Sequence, residues 1–253
     1  MESRKILVNA DDFGISHEVN HGIQEAFRLG LVHRTTLMVN MPYADEAVDI
    51  AKRNGFWDKV GLHLNLVEGE SLTTEIKEID WIYSDEGFTN LVFGYLRSNF
   101  WLTDLERKAI VYEIEAQMEK FFSYEPFLRH MDSHQHIHNE FLIYPLVEKA
   151  ATRHGFISMR IARNLINTTT LCQRIKLVYK NLLNNRIGKY FDTTSYFGSY
   201  QEWKLYGQMS GVTEIMVHPI LRDNLLCDVC ATGYLSMLDY DYINKEKGLS
   251  LLG

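Results

Sequence analysis

Residues 130–138 read HMDSHQHIH, four histidines and one aspartate in nine positions, each separated from the next by one residue. On a β-strand running into a loop, a spacing of two turns His130, Asp132, His134, His136 and His138 toward one face. So many imidazoles on one face are costly unless something binds them. Geometry limits the set: residues two apart on a strand lie about 6.5–7 Å apart at Cα, so one ion takes at most two neighbouring histidines. A catalytic ion usually has three protein ligands and an open position for water, which an aspartate and two histidines drawn from three different strands would provide.

Other metal-capable residues sit at regular stations along the chain. Asp11 and Asp12 follow the apolar run KILVNA, His63 lies in VGLHLNL, and His218 lies in MVHP. The elements needed to position them are legible. KILVNA (5–10) reads as a strand; Ser16 is an N-cap for a helix carrying Val19, Ile23, Ala26 and Phe27, which Gly30 stops. TTLMVNM (35–41) and YADEAVDIAKRNG (43–55) repeat strand and helix, and VGLHLNLVEG (60–69) is a third strand. Thr103-Asp104-Leu105-Glu106 has capping-box form and opens a helix to about Phe122. FLRHMDSH (127–134) enters the histidine cluster. A helix at 141–154 closed by Gly155 and strands at 157–163, 192–197 and 213–219 complete the pattern.

Alternating strands and helices imply parallel pairing, and seven strands suit a closed or nearly closed barrel, with an open doubly wound sheet as the competitor. In such a barrel the C-terminal strand ends converge on one mouth, so Asp11, Asp12, His63, the cluster and His218 would meet there. The long connections near 70–102 and 164–190 fit the repeat poorly and have the character of lids or oligomer contacts. No linker divides residues 1–253, which read as one domain.

Composition narrows the partners. The formal net charge is -7 without a Lys/Arg block, which argues against nucleic acid and an anionic membrane surface and for a small molecule. MESRKILVNADDFG is neither a signal peptide nor a spanning helix, so the expected compartment is the cytoplasm. Cys172, Cys227 and Cys230 make an odd count, and the lone pair Cys227-x-x-Cys230 lacks the second ligand pair of a structural zinc site.

NADDFG (9–14), GLHLNL (61–66), HMDSHQHIH (130–138) and MVHP (216–219), in this order over nearly the whole chain, resemble the motif set of the YdjC-like carbohydrate deacetylases, which include chitooligosaccharide deacetylases. The resemblance implies a TIM-like (β/α)7 barrel, homodimers, and divalent-metal hydrolysis of acetyl groups from N-acetylglucosamine units. By position it makes Asp12, His63 and His134 the metal ligands, Asp11 the catalytic base and His218 the acid. Arg160, in SMRIAR, falls where the family has an arginine after the fifth strand. That division of labour is chemically coherent. Adjacent side chains at a strand end point apart, so Asp12 holds the ion while Asp11 takes the proton of the attacking water. An amide expels a poor amine leaving group, which His218 would protonate.

Several roles stay open at this level. Asp132 suits the orientation of a ring; His136 and His138 divide between substrate contact and structural hydrogen bonding; His130 reads as structural. Arg160 would restrain Asp11, bind sugar or form a surface pair. Two imidazoles suit zinc, and a carboxylate with waters allows magnesium. Residues 220–253 match the family loosely, which touches substrate more than reaction. The competing functions are hydrolysis of another amide or ester by the same site, and a catalytically silent sugar-binding protein on the same barrel.

Overall fold

A computed structural model describes residues 4–89, 91–166, 170–206, 210–230, 233–240 and 250–251. The side chains of Cys172 and Cys230, residues 167–169 of the connection expected at 164–190, and most of 241–253 lie outside that description. Cys227 is a half-buried free thiol.

Seven strands carry the architecture: β1 (Arg4–Phe13), β2 (Arg34–Leu37), β3 (Val60–Leu64), β4 (His130–Ser133), β5 (Ser158–Met159), β6 (Tyr196–Ser199) and β7 (Gly211–Val217). They pair in the order β5-β4-β3-β2-β1-β7-β6, every pairing parallel. The order is that of a barrel with its seam between β5 and β6. Among the described residues, an isolated bridge, Ser158 to Asp192, and bonds such as Asn164 N–H to the Phe197 carbonyl cross the seam. The expected seven-stranded parallel barrel is therefore present, curled and incompletely laddered, because β5 is two residues long.

Period-two alternation divides each strand between two environments. Ile6, Val8 and Ala10 of β1, Leu62 and Leu64 of β3, and Ile215 and Val217 of β7 belong to the apolar core against the surrounding helices. The opposite register supplies Asn9, Asp11, Thr36, His63, His130, Asp132 and Glu214, buried polar groups that face the barrel interior. Polar groups survive such burial only when they bond one another, as these do.

The helices follow the local rules that announce them. In α1 (His17–Arg28) the Ser16 hydroxyl accepts from the Val19 N–H. α2 (Ala44–Arg53) and α3 (Leu91–Ser98) follow in the chain, and at the start of α4 (Asp104–Ser123) Thr103 and Glu106 form both halves of the capping box. Gly155 takes φ 75° at the end of α5 (Tyr144–His154), the left-handed conformation that glycine adopts without steric cost.

Two expectations need correction. The connection expected at 164–190 is largely α6 (Leu171–Tyr190), the crossover helix between β5 and β6. Its pattern hides it: Leu171, Ile175, Val178 and Leu182 are exposed, while Leu183 and Ile187 are buried. The final expected strand ends at Val217, and Pro219 opens an antiparallel sheet of β8 (Pro219–Arg222), β9 (Leu225–Cys230) and β10 (Gly233–Ser236). This sheet packs on α1. A Cβ on Gly22 would stand 2.7 Å from the Ile220 Cα, so only glycine permits the approach.

Candidate active site

The backbone at Asp11-Asp12 separates two carboxylates that the sequence places side by side. Register between β1 and β2 shifts between Ala10 and Phe13, and Asp12 has φ 68°, a conformation Asp tolerates better than most residues. Such an irregularity re-aims a side chain at a strand end. Asp11 stays inward, almost fully buried, while Asp12 turns toward the mouth and a cleft of about 710 Å3.

At the mouth, Asp12 Oδ1 lies 3.1 Å from His63 Nε2 and 2.8 Å from His134 Nδ1. One ligand atom from each of these three residues falls within 4.8 Å of the others. The His63 ring is fixed from behind: Asp132 Oδ1 sits 2.6 Å from its Nδ1, and Thr36 donates to the other Asp132 oxygen. A carboxylate behind an imidazole sets its tautomer and leaves the opposite nitrogen for an ion. His134 Nε2 has no hydrogen-bond partner although buried; a Glu68 oxygen lies 2.9 Å away, near enough for charge attraction but out of hydrogen-bonding geometry. An aspartate oxygen and two imidazoles brought together from β1, β3 and the end of β4 fit a divalent cation of the zinc or related classes.

The electrostatics sort the histidines. Burial opposes charge on His63, but Asp132 and Asp12 outweigh it and raise its pKa to about 10. Burial likewise opposes charge on His134, and its bond to Asp12 with the Glu68 carboxylate close by raises it to about 9. The other three go the opposite way. Burial, with Arg34 and Arg160 nearby, keeps His130 neutral; burial and Arg163 do the same for His136. Burial pushes His138 down to about 4 even though its ring bonds the Arg160 carbonyl.

Contacts explain why the five-residue alternation does not hold. β4 ends at Ser133, and residues 134–139 form a tight 3-10 segment in which Gln135 and His136 have φ 47° and 61°. His138 faces the Ser133 hydroxyl and the Arg160 carbonyl, at 3.0 Å, through its two ring nitrogens, leaving none for a sugar. His136 packs edge-on against Phe197 and lies 3.3 Å from an Arg163 nitrogen. His130 bonds Ser158.

Arg160 is not a surface pair: it is fully buried in the barrel. Its guanidinium spans Asp11 at 2.6 and 2.7 Å, Asp132 at 2.7 Å and Glu214 at 2.6 Å. Burial would raise the Asp11 pKa, but Arg160 holds that carboxyl well below the usual carboxylate range. Asn9 donates a further bond to Asp11 at 2.7 Å, and Arg34 fixes Asn9. Two other groupings of possible donors, Asp11/His63/Asp132 and His130/Asp132/Glu214, have their carboxylates committed to Arg160 and fit an ion less well.

His218, just beyond the end of β7, lines the same cleft as Asp12. Its backbone N–H donates to Asp228 Oδ1 at 2.6 Å, and its ring Nδ1 is 3.9 Å from the same oxygen. Tyr240 donates to the other Asp228 oxygen. Sequence reasoning missed Asp228, Asn9, Thr36, Glu68 and Glu214. Signals existed for two. Glu214 is an acid within the apolar strand TEIMV, and Asp228 belongs to a hairpin marked by Asp223-Asn224, both at positive φ, a turn signature between alternating residues.

The fold and site define a parallel α/β barrel protein with an Asp-His-His constellation at the strand ends. The chain belongs to the YdjC-like protein family, whose model matches residues 5–243. It is 31% identical over 88% of its length to a carbohydrate deacetylase of Halalkalibacterium halodurans, covering 87% of that protein. It is 32% identical to carbohydrate deacetylase 1 of Listeria innocua, over 89% of this chain and 85% of that one. Among solved structures, a candidate cellobiose-phosphate cleavage protein of Enterococcus faecalis superposes with a TM-score of 0.66 at 21% identity, covering 87% of this chain and 83% of that one.

Proposed function

We propose that this protein is a metal-dependent carbohydrate N-deacetylase that removes acetyl groups from N-acetylglucosamine-containing, chitooligosaccharide-like sugars. The observation that carries the reading is the convergence of Asp12, His63 and His134 at the barrel mouth, with an Arg160-held Asp11 beside them and His218 lining the same cleft as Asp12. The relatives named carbohydrate deacetylase support a sugar substrate.

Asp12, His63 and His134 would hold the ion, which when bound polarises the acetyl carbonyl and acidifies the attacking water. Asp132 keeps the His63 ring in its ligating tautomer. Asp11, ionised through its bonds to Arg160, accepts the water proton as attack proceeds. His218, tied to Asp228 through its backbone, gives a proton to the departing amine. Ile15, Val19 and Met216 line an apolar part of the cleft suited to the acetyl methyl and a sugar face, while Arg163 and Glu202 offer hydroxyl partners. The cleft volume falls within the range of about 300–1,000 Å3 usual for small-ligand sites.

The same proposal takes residues 1–253 as one catalytic domain acting as a homodimer in the cytoplasm. The acidic balance supports a reading without nucleic acid or membrane partners, and among the described residues no helix is long and apolar enough to cross a membrane. An acetate-release screen of N-acetylated mono- and disaccharides, beside simple acyl esters, tests the substrate class. Turnover of the sugars supports the reading, and turnover confined to the esters replaces it with the broader hydrolase alternative.

A further inference from the structure

We propose that His17, His21 and Glu46 form a second cation site, separate from the one at the barrel mouth and selective for transition ions of the zinc class. His17 and His21 stand one turn apart on α1, the i,i+4 spacing that stacks two side chains on one helix face. Their ring centroids are 4.3 Å apart, with the rings edge to face. Glu46, in the first turn of α2, reaches across so that one oxygen lies 2.7 Å from His17 Nδ1. One ligand atom from each residue falls within 4.8 Å of the others.

The surroundings hold this trio in place beyond what an exposed ion pair requires. The second Glu46 oxygen accepts from Asn20 Nδ2 at 2.8 Å. Asn20 is itself buried, giving its other amide bond to the Tyr43 carbonyl and accepting from the Gly14 N–H at 2.8 Å. The Gln24 side-chain oxygen lies 3.1 Å from His21 Nδ1, and Gln24 is oriented by donating to Asn54. An N–H on His21 Nδ1 leaves the Nε2 lone pair for a metal, the usual way an outer partner selects a ligating tautomer. A His17–Glu46 pair more than half exposed at its histidine contributes little stability on its own, and it accounts for neither His21 nor Gln24.

The donor chemistry names the ligand class. Two imidazole nitrogens and one carboxylate oxygen suit zinc, or nickel, cobalt and copper, with water completing a tetrahedron; calcium and magnesium prefer oxygen sets. Such an ion would clamp α1 to α2 beside the Asp11–Gly14 turn, because Asn20 links Glu46 to the Gly14 N–H.

The test is Zn2+ stoichiometry by equilibrium dialysis on untagged protein. Wild type is expected to bind one equivalent more than the double variant His17→Ala/His21→Ala. His21→Ala, which keeps the His17–Glu46 pair, should show the same loss, and Glu46→Gln should weaken that equivalent at least about tenfold. Circular dichroism confirms that each variant is folded. The measurement repeated in an Asp12→Asn background should show the same one-equivalent difference, which separates this proposal from the catalytic reading. Equal stoichiometry in wild type and His17→Ala/His21→Ala overturns it.

Discussion

Arg160 grips Asp11 through two guanidinium nitrogens, at 2.6 and 2.7 Å, across 149 positions of sequence. The pair sits at the centre of the barrel, and both groups are buried. Removing one partner of a buried pair typically costs about 3–5 kcal/mol, and here it would leave Asp11 without its cation while Glu214 keeps Arg34 and Asp132 keeps His63. Arg160→Ala is expected to lower the thermal midpoint severely. Arg160→Lys keeps the charge without the fork and is the variant to assay.

That substitution also carries a pH signature. Arg160 holds the Asp11 carboxyl low against a burial effect that alone would raise it. Weakening the grip lets the pKa rise, so the base becomes ionised only at higher pH. The acid limb of the pH–rate profile in Arg160→Lys should therefore move upward. An unmoved limb would show that Asp11 is not the group whose ionisation controls turnover.

The two aspartates should separate cleanly. Asp11→Asn is expected to retain metal and lose about 100- to 10,000-fold in rate, since an amide cannot accept the proton of water. Asp12→Asn should lose both metal and rate. Elemental analysis beside acetate release reads the difference, and the reverse pattern would exchange the two roles.

The fold was legible where local rules act alone. Ser16, the Thr103–Glu106 box and Gly155 mark helix ends because capping is decided within a few residues. Of the candidate site, Asp11, Asp12, His63, His134 and His218 were legible as metal-capable residues within or just after the strands. What remained hidden depends on contacts distant in sequence. Nothing near Arg160 announces that its charge is buried among strands β1, β4 and β7. The five-residue alternation from His130 fails after His134 because Gln135 and His136 turn to positive φ, which periodicity does not report. The helix α6 escaped notice because much of its apolar surface faces outward.

His218 gives a prediction based on leaving-group chemistry. A general acid matters in proportion to how badly the departing group needs a proton, so His218→Ala should cost on the order of 100-fold or more on an N-acetyl sugar. On an activated aryl acetate the loss should be small. Asp228→Asn should show the same selectivity with a smaller amplitude. Equal losses on both substrates would assign His218 to binding or support of the fold.

Metal binding at the mouth should be coupled to proton release. With pKa values raised to about 10 and about 9, His63 and His134 are protonated at neutral pH in the metal-free protein, and ligation requires them neutral. Apparent affinity should rise by about tenfold per pH unit for each displaced proton and flatten as pH passes these values. Titration calorimetry in buffers of different ionisation enthalpy counts the protons; a pH-independent affinity contradicts proton displacement from these two imidazoles, whereas His130→Ala should bind normally.

The central claim, hydrolysis of a sugar N-acetyl group at a metal held by Asp12, His63 and His134, is tested most directly by following acetate release from N,N'-diacetylchitobiose with chelator-stripped protein, before and after divalent metal is restored. The account predicts no release from the stripped protein, recovery with an added metal, and no recovery in His63→Ala or His134→Ala. Undiminished release from fully stripped protein, or full recovery in either variant, would contradict it.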